Sequence, residues 1–200
     1  MVNSRRHKRL VSRIKFLEEN LLPDVKISGN YTKKESDLIR SYVLLSHAEI
    51  ESYFEDVALE KAKKALQKWK TNRTKSNCLL AIMSFCTNEV GWDKTKKEKK
   101  EKFDYRVIRV VRYYTEKLNN NHGIKADNLK SILLPIGVEE SQIDDTWLNT
   151  MESFGAQRGL IAHSTISVQQ QIDLVTNKNN INNNILPTIK QLDLLIKGIK

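Results

Sequence analysis

The spacing of apolar residues predicts a chain that is made of α-helices. Apolar positions recur at intervals of three and four along most of the sequence, whereas the alternation that is typical of strands is nearly absent. Only seven glycines and three prolines are present, so few positions break a helix. We therefore predict an all-α fold, in which four to five main helices form a bundle with short accessory helices.

The residues that flank the apolar stripes predict where the helices begin and end. The first helix is expected to stop at Pro23, and the longest to follow a cap at Thr32 or Ser36 and to reach about Lys70. We predict a single domain, with an N-terminal helix and turn over residues 1–30 and a bundle core over residues 31–200. Later helices are expected over roughly 76–90, 103–120, 128–134, 145–163 and 184–197, and the asparagine-rich stretch 177–184 is expected to be an exposed loop.

The excess of basic residues has two possible interpretations, a polyanionic partner and basic surfaces that contact only solvent. The chain has 34 lysines and arginines against 24 acidic residues, which gives a formal net charge of +10. Much of the excess lies in two runs, Arg5–Arg9 and Lys94–Lys102. Basic runs attract nucleic acids, but they also occur as faces that contact only solvent.

Several classes of function lack the residues that they need. Cys78 and Cys86 lie in an apolar segment without a paired-cysteine motif, which is typical of buried free thiols. The sequence has no glycine-rich phosphate loop, no carboxylate cluster suited to magnesium and no Ser-His-Asp set, so we expect no metal and no cofactor. Because there is no apolar signal core and no apolar run near the ~20 residues that span a bilayer, we expect a cytoplasmic protein with no membrane partner.

An arginine and a histidine near the end of a late helix have the chemistry for cleaving RNA without a metal. Such cleavage needs a group that moves protons near neutral pH and a fixed positive charge at the phosphate, which His163 and Arg158 supply. Residues five apart in an ideal helix point about 140° apart. The two side chains converge only if the backbone bends, most cheaply at Gly159, or if Arg158 reaches around. In the structural alternative, Arg158 pairs with a carboxylate and His163 caps the helix.

Two segments in this order resemble the HEPN domains (higher eukaryotes and prokaryotes nucleotide-binding). Residues 158–163 read RGLIAH, which is similar to the Arg-x4-6-His motif of that family. Residues 44–55 read LLSHAEIESYFE, in which Ala48, Glu51 and Tyr53 are similar to a segment of the RiboL-PSP subgroup. The resemblance covers about residues 35–198. One departure is Gly159, since the residue after the arginine is often polar in the family.

The resemblance implies an all-α metal-independent endoribonuclease that acts as a toxin or antiphage defence effector. The ribose 2′-OH would attack the adjacent phosphate and leave a 2′,3′-cyclic phosphate, with His163 moving the proton and Arg158 holding the phosphate. It also implies a homodimer with a composite active site, an RNA substrate such as tRNA or mRNA, and a cognate antitoxin or defence-system partner. The alternatives are a non-catalytic RNA-binding or assembly subunit of such a complex, and a helical adaptor unrelated to RNA.

Other side chains are candidates for supporting roles, each with a structural alternative. Glu51 lies one helical turn after His47 and is expected to orient the arginine or the histidine, or else to form an ordinary buried ion pair. Gln157 precedes Arg158 and is a candidate RNA contact. Arg109, Arg112 and Tyr113 are candidates for holding phosphates and stacking bases, although a tyrosine at helical spacing is also typical of a core.

Overall fold

The all-α prediction is confirmed. The structure is a computed structural model that describes residues 2–91, 102–163 and 172–199, and within these ranges the chain forms helices and no strand. The α-helices are α1 (Arg5–Leu21), α2 (Lys33–Asn72), α3 (Asn77–Cys86), α4 (Phe103–Asn119), α5 (Ala126–Leu133), α6 (Asp145–His163), α7 (Leu174–Asn179) and α8 (Leu186–Gly198). The basic run Lys94–Lys102 falls mostly outside the described residues.

Polar caps define the starts of the main helices. Thr32 caps α2, since its Oγ1 atom accepts from the Glu35 N–H at 3.3 Å while the Glu35 carboxylate accepts from the Thr32 N–H at 2.7 Å. This reciprocal pair is a capping box, and it selects Thr32 over the alternative cap. The Ser76 hydroxyl accepts from the Leu79 N–H at the start of α3, and Asp144 accepts from the Trp147 N–H at the start of α6.

The expectation that the asparagine-rich stretch is an exposed loop is wrong. The stretch belongs to α7 and to a π-helical segment, Asn180–Ile185, that leads directly into α8. Ile181 and Ile185 lie one turn apart and are fully buried, so they anchor the segment in the core. The Asn182 amide donates a hydrogen bond to the Glu18 carboxylate at 2.9 Å. A polar side chain that the composition predicts to contact solvent therefore has a partner inside the protein.

The described residues form two compact units. Unit 1 consists of Met1–Tyr53, Gly123–Ala126 and Ile143–Leu194, and unit 2 consists of Phe54–His122, Asp127–Gln142 and Leu195–Lys200. The interior of unit 1 includes Leu10, Ile14, Tyr42, Ile50, Met151, Phe154, Ile181 and Ile189. In unit 2, α3 packs against α4 and against the short turn Leu134–Ile136. The expectation of a single domain stays a prediction.

A buried carboxylate in unit 1 joins α8 to the start of α1. Asp193 is 1% exposed and accepts hydrogen bonds from the Ser4 backbone N–H at 2.6 Å, from the Tyr53 hydroxyl at 3.0 Å and from the Asn3 amide at 3.2 Å. Burial alone would raise the pKa of Asp193, but the hydrogen bonds outweigh it and lower that pKa below its usual value. A negative charge is therefore held at the N-terminus of α1, where the helix dipole favours one.

Candidate functional site

The packing of α2 against α6 in unit 1 brings His47 close to Arg158. The His47 ring is 1% exposed and lies 5.8 Å from the ring of Phe154, measured between centroids. Phe154 and Arg158 are one helical turn apart on α6, so they share one side of that helix. The Arg158 guanidinium is close enough to act electrostatically on the His47 imidazole.

The His47 imidazole is neutral at neutral pH. Burial, reinforced by the positive charge of Arg158, lowers the pKa of His47 to about 4. The nearer Glu51 carboxylate oxygen lies 3.6 Å from His47 Nδ1, which is beyond the range of a good hydrogen bond. The two side chains share a face of α2, as the sequence predicts. At this distance the carboxylate lies next to a neutral ring. The two roles considered for Glu51, orienting the pair or forming a buried ion pair, stay predictions.

The Arg158 guanidinium has no hydrogen-bond or ion-pair partner among the described residues. Its side chain is half-buried, and no carboxylate among residues 2–91, 102–163 and 172–199 forms an ion pair with it. The structural alternative, in which Arg158 pairs with a neighbouring carboxylate, therefore has no support in the described part of the chain. An arginine at the edge of a buried cluster offers a planar, permanently charged fork to an anion from outside.

His163 lies at the exposed end of the same helix. It is the last residue of α6, and the α-helix continues through Gly159 without a break. The helical hydrogen-bonding pattern is therefore not interrupted at the glycine where the sequence would most easily allow a bend. Ideal geometry places Arg158 and His163 about 140° apart around the axis and roughly 7.5 Å apart along it. Within one chain, the helix presents them on different sides.

Two glycines of α6 stand one turn apart in different surroundings. A Cβ atom at Gly155 would lie 2.8 Å from Cγ of Lys125, so this glycine allows the segment Gly123–Ala126 to approach the helix closely. A Cβ atom at Gly159 would meet nothing within 4 Å. The close approach at Gly155 was not recognised in the sequence, where the only signal is a glycine one turn before the arginine.

The remaining candidates lie at several places. Gln157 is half-buried beside Arg158 on α6. On α4 in unit 2, the Arg109 guanidinium donates to the Gly91 carbonyl oxygen at 2.9 Å and so ties the turn after α3. Arg112 is exposed, and Tyr113 is half-buried. Tyr114, which follows it, is the core tyrosine, and its hydroxyl donates to the Ile132 carbonyl oxygen. RNA contacts by Arg109, Arg112 and Tyr113 stay predictions.

Metal ligands and membrane-spanning helices are two further features that the described residues could show. No group of three or more histidine, cysteine or acidic side chains in the three described ranges is placed to hold a metal ion. No helix in those ranges combines the length and the apolar character that crossing a bilayer requires.

Alanine substitutions at the two α6 glycines should have different effects on stability. Gly159→Ala should raise the free energy of unfolding by about 0.5–1 kcal/mol, because alanine is the better helix former and the space is open. Gly155→Ala should be less stable than Gly159→Ala by about 1–3 kcal/mol, because its Cβ overlaps Lys125. Urea denaturation of both variants measures this. Equal stabilities would contradict the close approach.

The pKa of His47 should depend on Arg158. NMR titration should show a neutral His47 ring at pH 5.5, and Arg158→Gln should raise its pKa toward the ordinary 6.5 by removing the neighbouring charge. Since the folded pKa is lowered, the unfolded state binds more protons between about pH 4 and 6.5, and stability falls as the pH drops through that window. Arg5→Gln is the matched control. A His47 pKa near 6.5 in the parent protein would refute this account.

A comparison with protein-family models shows which family this chain matches. The RiboL-PSP-HEPN family model matches residues 8–197, which include the α2 segment as well as Arg158 and His163. Comparisons with curated proteins and with solved structures gave no match. The family match covers nearly the whole chain and confirms the resemblance that the two motifs indicate. The chain belongs to the RiboL-PSP-HEPN family.

Proposed function

We propose that this protein is a metal-independent endoribonuclease of the HEPN type. Its family membership indicates a nuclease or RNA-binding function. The observation that supports the finer proposal is the state of Arg158, a half-buried arginine beside a neutral buried histidine, without an ion-pair partner among the described residues. Such a guanidinium is suited to a phosphate, because no carboxylate in the described part of the chain competes with the substrate for it.

The proposed reaction is an internal phosphoryl transfer. The ribose 2′-oxygen attacks the adjacent phosphorus, the new P–O2′ bond forms and the P–O5′ bond breaks, leaving a 2′,3′-cyclic phosphate and a 5′-OH. His163 accepts the proton of the 2′-OH, and a protonated group returns one to the leaving 5′-oxygen. Arg158 binds the phosphate oxygens and stabilises the negative charge that develops on them. DNA lacks the nucleophile and would bind without being cut.

The supporting residues act through Arg158 in this proposal. A neutral His47 fills the space beside Arg158 without adding a second positive charge, and its contact with Phe154 positions the turn of α6 that carries the arginine. Glu51, on the same helix, has a carboxylate oxygen 3.6 Å from His47 Nδ1, and we assign it to orienting Arg158 or His163. Gln157 is assigned a contact with RNA next to the phosphate.

We propose that the active site is composite, with Arg158 from one copy and His163 from a second. The continuous α6 helix supports this arrangement, because it presents the two side chains of one chain on different sides. A twofold pairing of α6 helices would give two sites in one cleft, each with an arginine and a histidine from different copies.

The proposed biological setting is a cytoplasmic toxin or antiphage effector that cleaves tRNA or mRNA and is restrained by a cognate partner protein. This part rests on the family alone. A second candidate function is a non-catalytic RNA-binding or assembly subunit, which Gly159 favours because it places no polar side chain next to Arg158. Binding of RNA by the parent protein without any product would support the second candidate.

Loss of either residue of the pair should abolish cleavage. Arg158→Lys, which keeps the charge without the fork, and His163→Ala should each lower kcat/KM by at least about 100-fold while leaving the circular dichroism spectrum unchanged. His122→Ala, at an exposed histidine of unit 2, is the matched control. Gel analysis of cleaved RNA with the parent protein should show 2′,3′-cyclic phosphate ends, with or without excess chelator.

Two outcomes would refute the proposed mechanism. One is parental cleavage by the variant that carries both substitutions. The other is cleavage of a substrate whose scissile nucleotide carries a 2′-deoxy sugar, since that sugar has no 2′-oxygen to attack the phosphate.

A further inference from the structure

The side of α1 that faces away from the core carries a concentrated positive charge. Six lysines and arginines lie between Arg5 and Lys15, and no acidic residue precedes Glu18. At 100° per residue, Arg5, Arg9, Ser12 and Phe16 form one stripe, opposite the buried stripe of Leu10, Ile14 and Leu17. We call the exposed residues Arg5, Lys8, Arg9, Ser12 and Phe16 the α1 outer face.

The charges of α1 oppose its helix dipole. Basic residues occupy its N-terminal half, its first turn has no acidic residue and its last turn has no basic one. Such a mismatch destabilises a helix near its end. The buried Asp193 carboxylate, bound to the Ser4 N–H, supplies the missing negative charge at this terminus from another helix. The basic residues thus weaken the helix that carries them, so helix stability does not explain their presence.

The cations of the α1 outer face are available to a partner. Arg5, Lys8 and Arg9 are exposed, and no carboxylate in the described part of the chain forms an ion pair with them. In contrast, Arg13 pairs with Glu49 at 2.8 Å, and Lys15 lies 3.6 Å from Glu19. Charges with no internal partner are the ones that can bind an external polyanion without first breaking a contact.

An aromatic ring lies on the same stripe as the cations. Phe16 is 51% exposed, and the Arg13 guanidinium carbon lies 5.0 Å from the centre of its ring. Because Glu49 holds the other side of Arg13, the ring and the guanidinium form a prearranged pair. Exposed aromatic rings next to basic residues are the usual elements of single-strand binding, in which bases stack and phosphates pair with cations.

We propose that the α1 outer face binds single-stranded RNA, with Arg5, Lys8 and Arg9 contacting phosphates and Phe16 stacking on a base. The inference rests on the proposed function in that RNA is the partner, but it does not depend on cleavage. A basic amphipathic helix also suits a membrane surface. Here the apolar stripe of α1 is buried in unit 1 and cannot enter a bilayer, which favours RNA.

The test is a binding measurement with an RNA that cannot be cleaved. Fluorescence anisotropy of a labelled, 2′-O-methylated 20-nucleotide oligouridylate reports the affinity of the full-length protein at several salt concentrations. Replacing Arg5, Lys8 and Arg9 together by Gln should weaken binding at least about tenfold and reduce the slope of log K against log salt by about 2, at roughly 0.7 per phosphate contact. Phe16→Ala should weaken binding about fivefold or more without changing that slope.

Matched variants show whether an effect on RNA binding comes from the α1 outer face itself, from the change in net charge or from the loss of any exposed aromatic ring. Replacing Lys63, Lys68 and Lys70, which are exposed on α2, together by Gln removes the same charge and should change the affinity by less than about twofold. Phe85→Ala removes a ring that is 54% exposed on α3 and should have no effect. Thermal melting of each variant shows whether it is folded.

The outcomes distinguish the two proposals. If the parent binds RNA and both triple variants weaken that binding equally, this inference alone is overturned. It is also overturned if the α1 triple variant binds RNA as tightly as the parent. Absence of RNA binding by the parent would overturn the inference, whereas the proposed function is judged separately by the cleavage of RNA. Binding to vesicles of phosphatidylserine and phosphatidylcholine through the same three cations, without RNA binding, would assign the face to membranes instead.

Discussion

A buried, neutral imidazole that lies near an arginine is the feature on which the candidate site depends. His47 fills the interface of α2 and α6 and touches Phe154, one turn before Arg158. If the imidazole were protonated, two positive charges would lie close together in the protein interior, where little water screens them. That arrangement is unfavourable. Burial and Arg158 prevent this by lowering the pKa of His47 to about 4. The packing of α2 on α6 thus places a half-buried arginine, which has no ion-pair partner among the described residues, beside a neutral ring.

The continuity of α6 determines how the two candidate catalytic residues are related. The α6 helix carries Arg158 half-buried and His163 at its exposed end, and ideal helix geometry places the two about 140° apart around the axis. The helix runs through Gly159 without interruption, and Gly155 allows the close approach of Lys125. This relation between the two side chains is the reason for proposing that a second copy completes each site.

Local sequence signals were sufficient to predict most helices and to single out the candidate pair Arg158 and His163. Contacts between residues far apart in the sequence could not be predicted in this way. The Thr32 cap and the Arg-x4-His spacing depend on neighbours within a few residues, which the sequence displays directly. The Asp193 contact with Ser4 joins residues 189 positions apart, and no local pattern marks it. The asparagine-rich segment was mispredicted because its composition is polar, whereas the burial of Ile181 and Ile185 decides its conformation.

A mixing experiment tests the composite site most directly. The Arg158→Ala and His163→Ala proteins would be purified separately, combined in equal amounts, allowed to exchange subunits and assayed for RNA cleavage. A site that takes each residue from a different copy regains one intact set per mixed dimer, so random exchange should restore about a quarter of the parental activity. A mixture that forms mixed dimers yet stays as inactive as its two components would contradict the composite site.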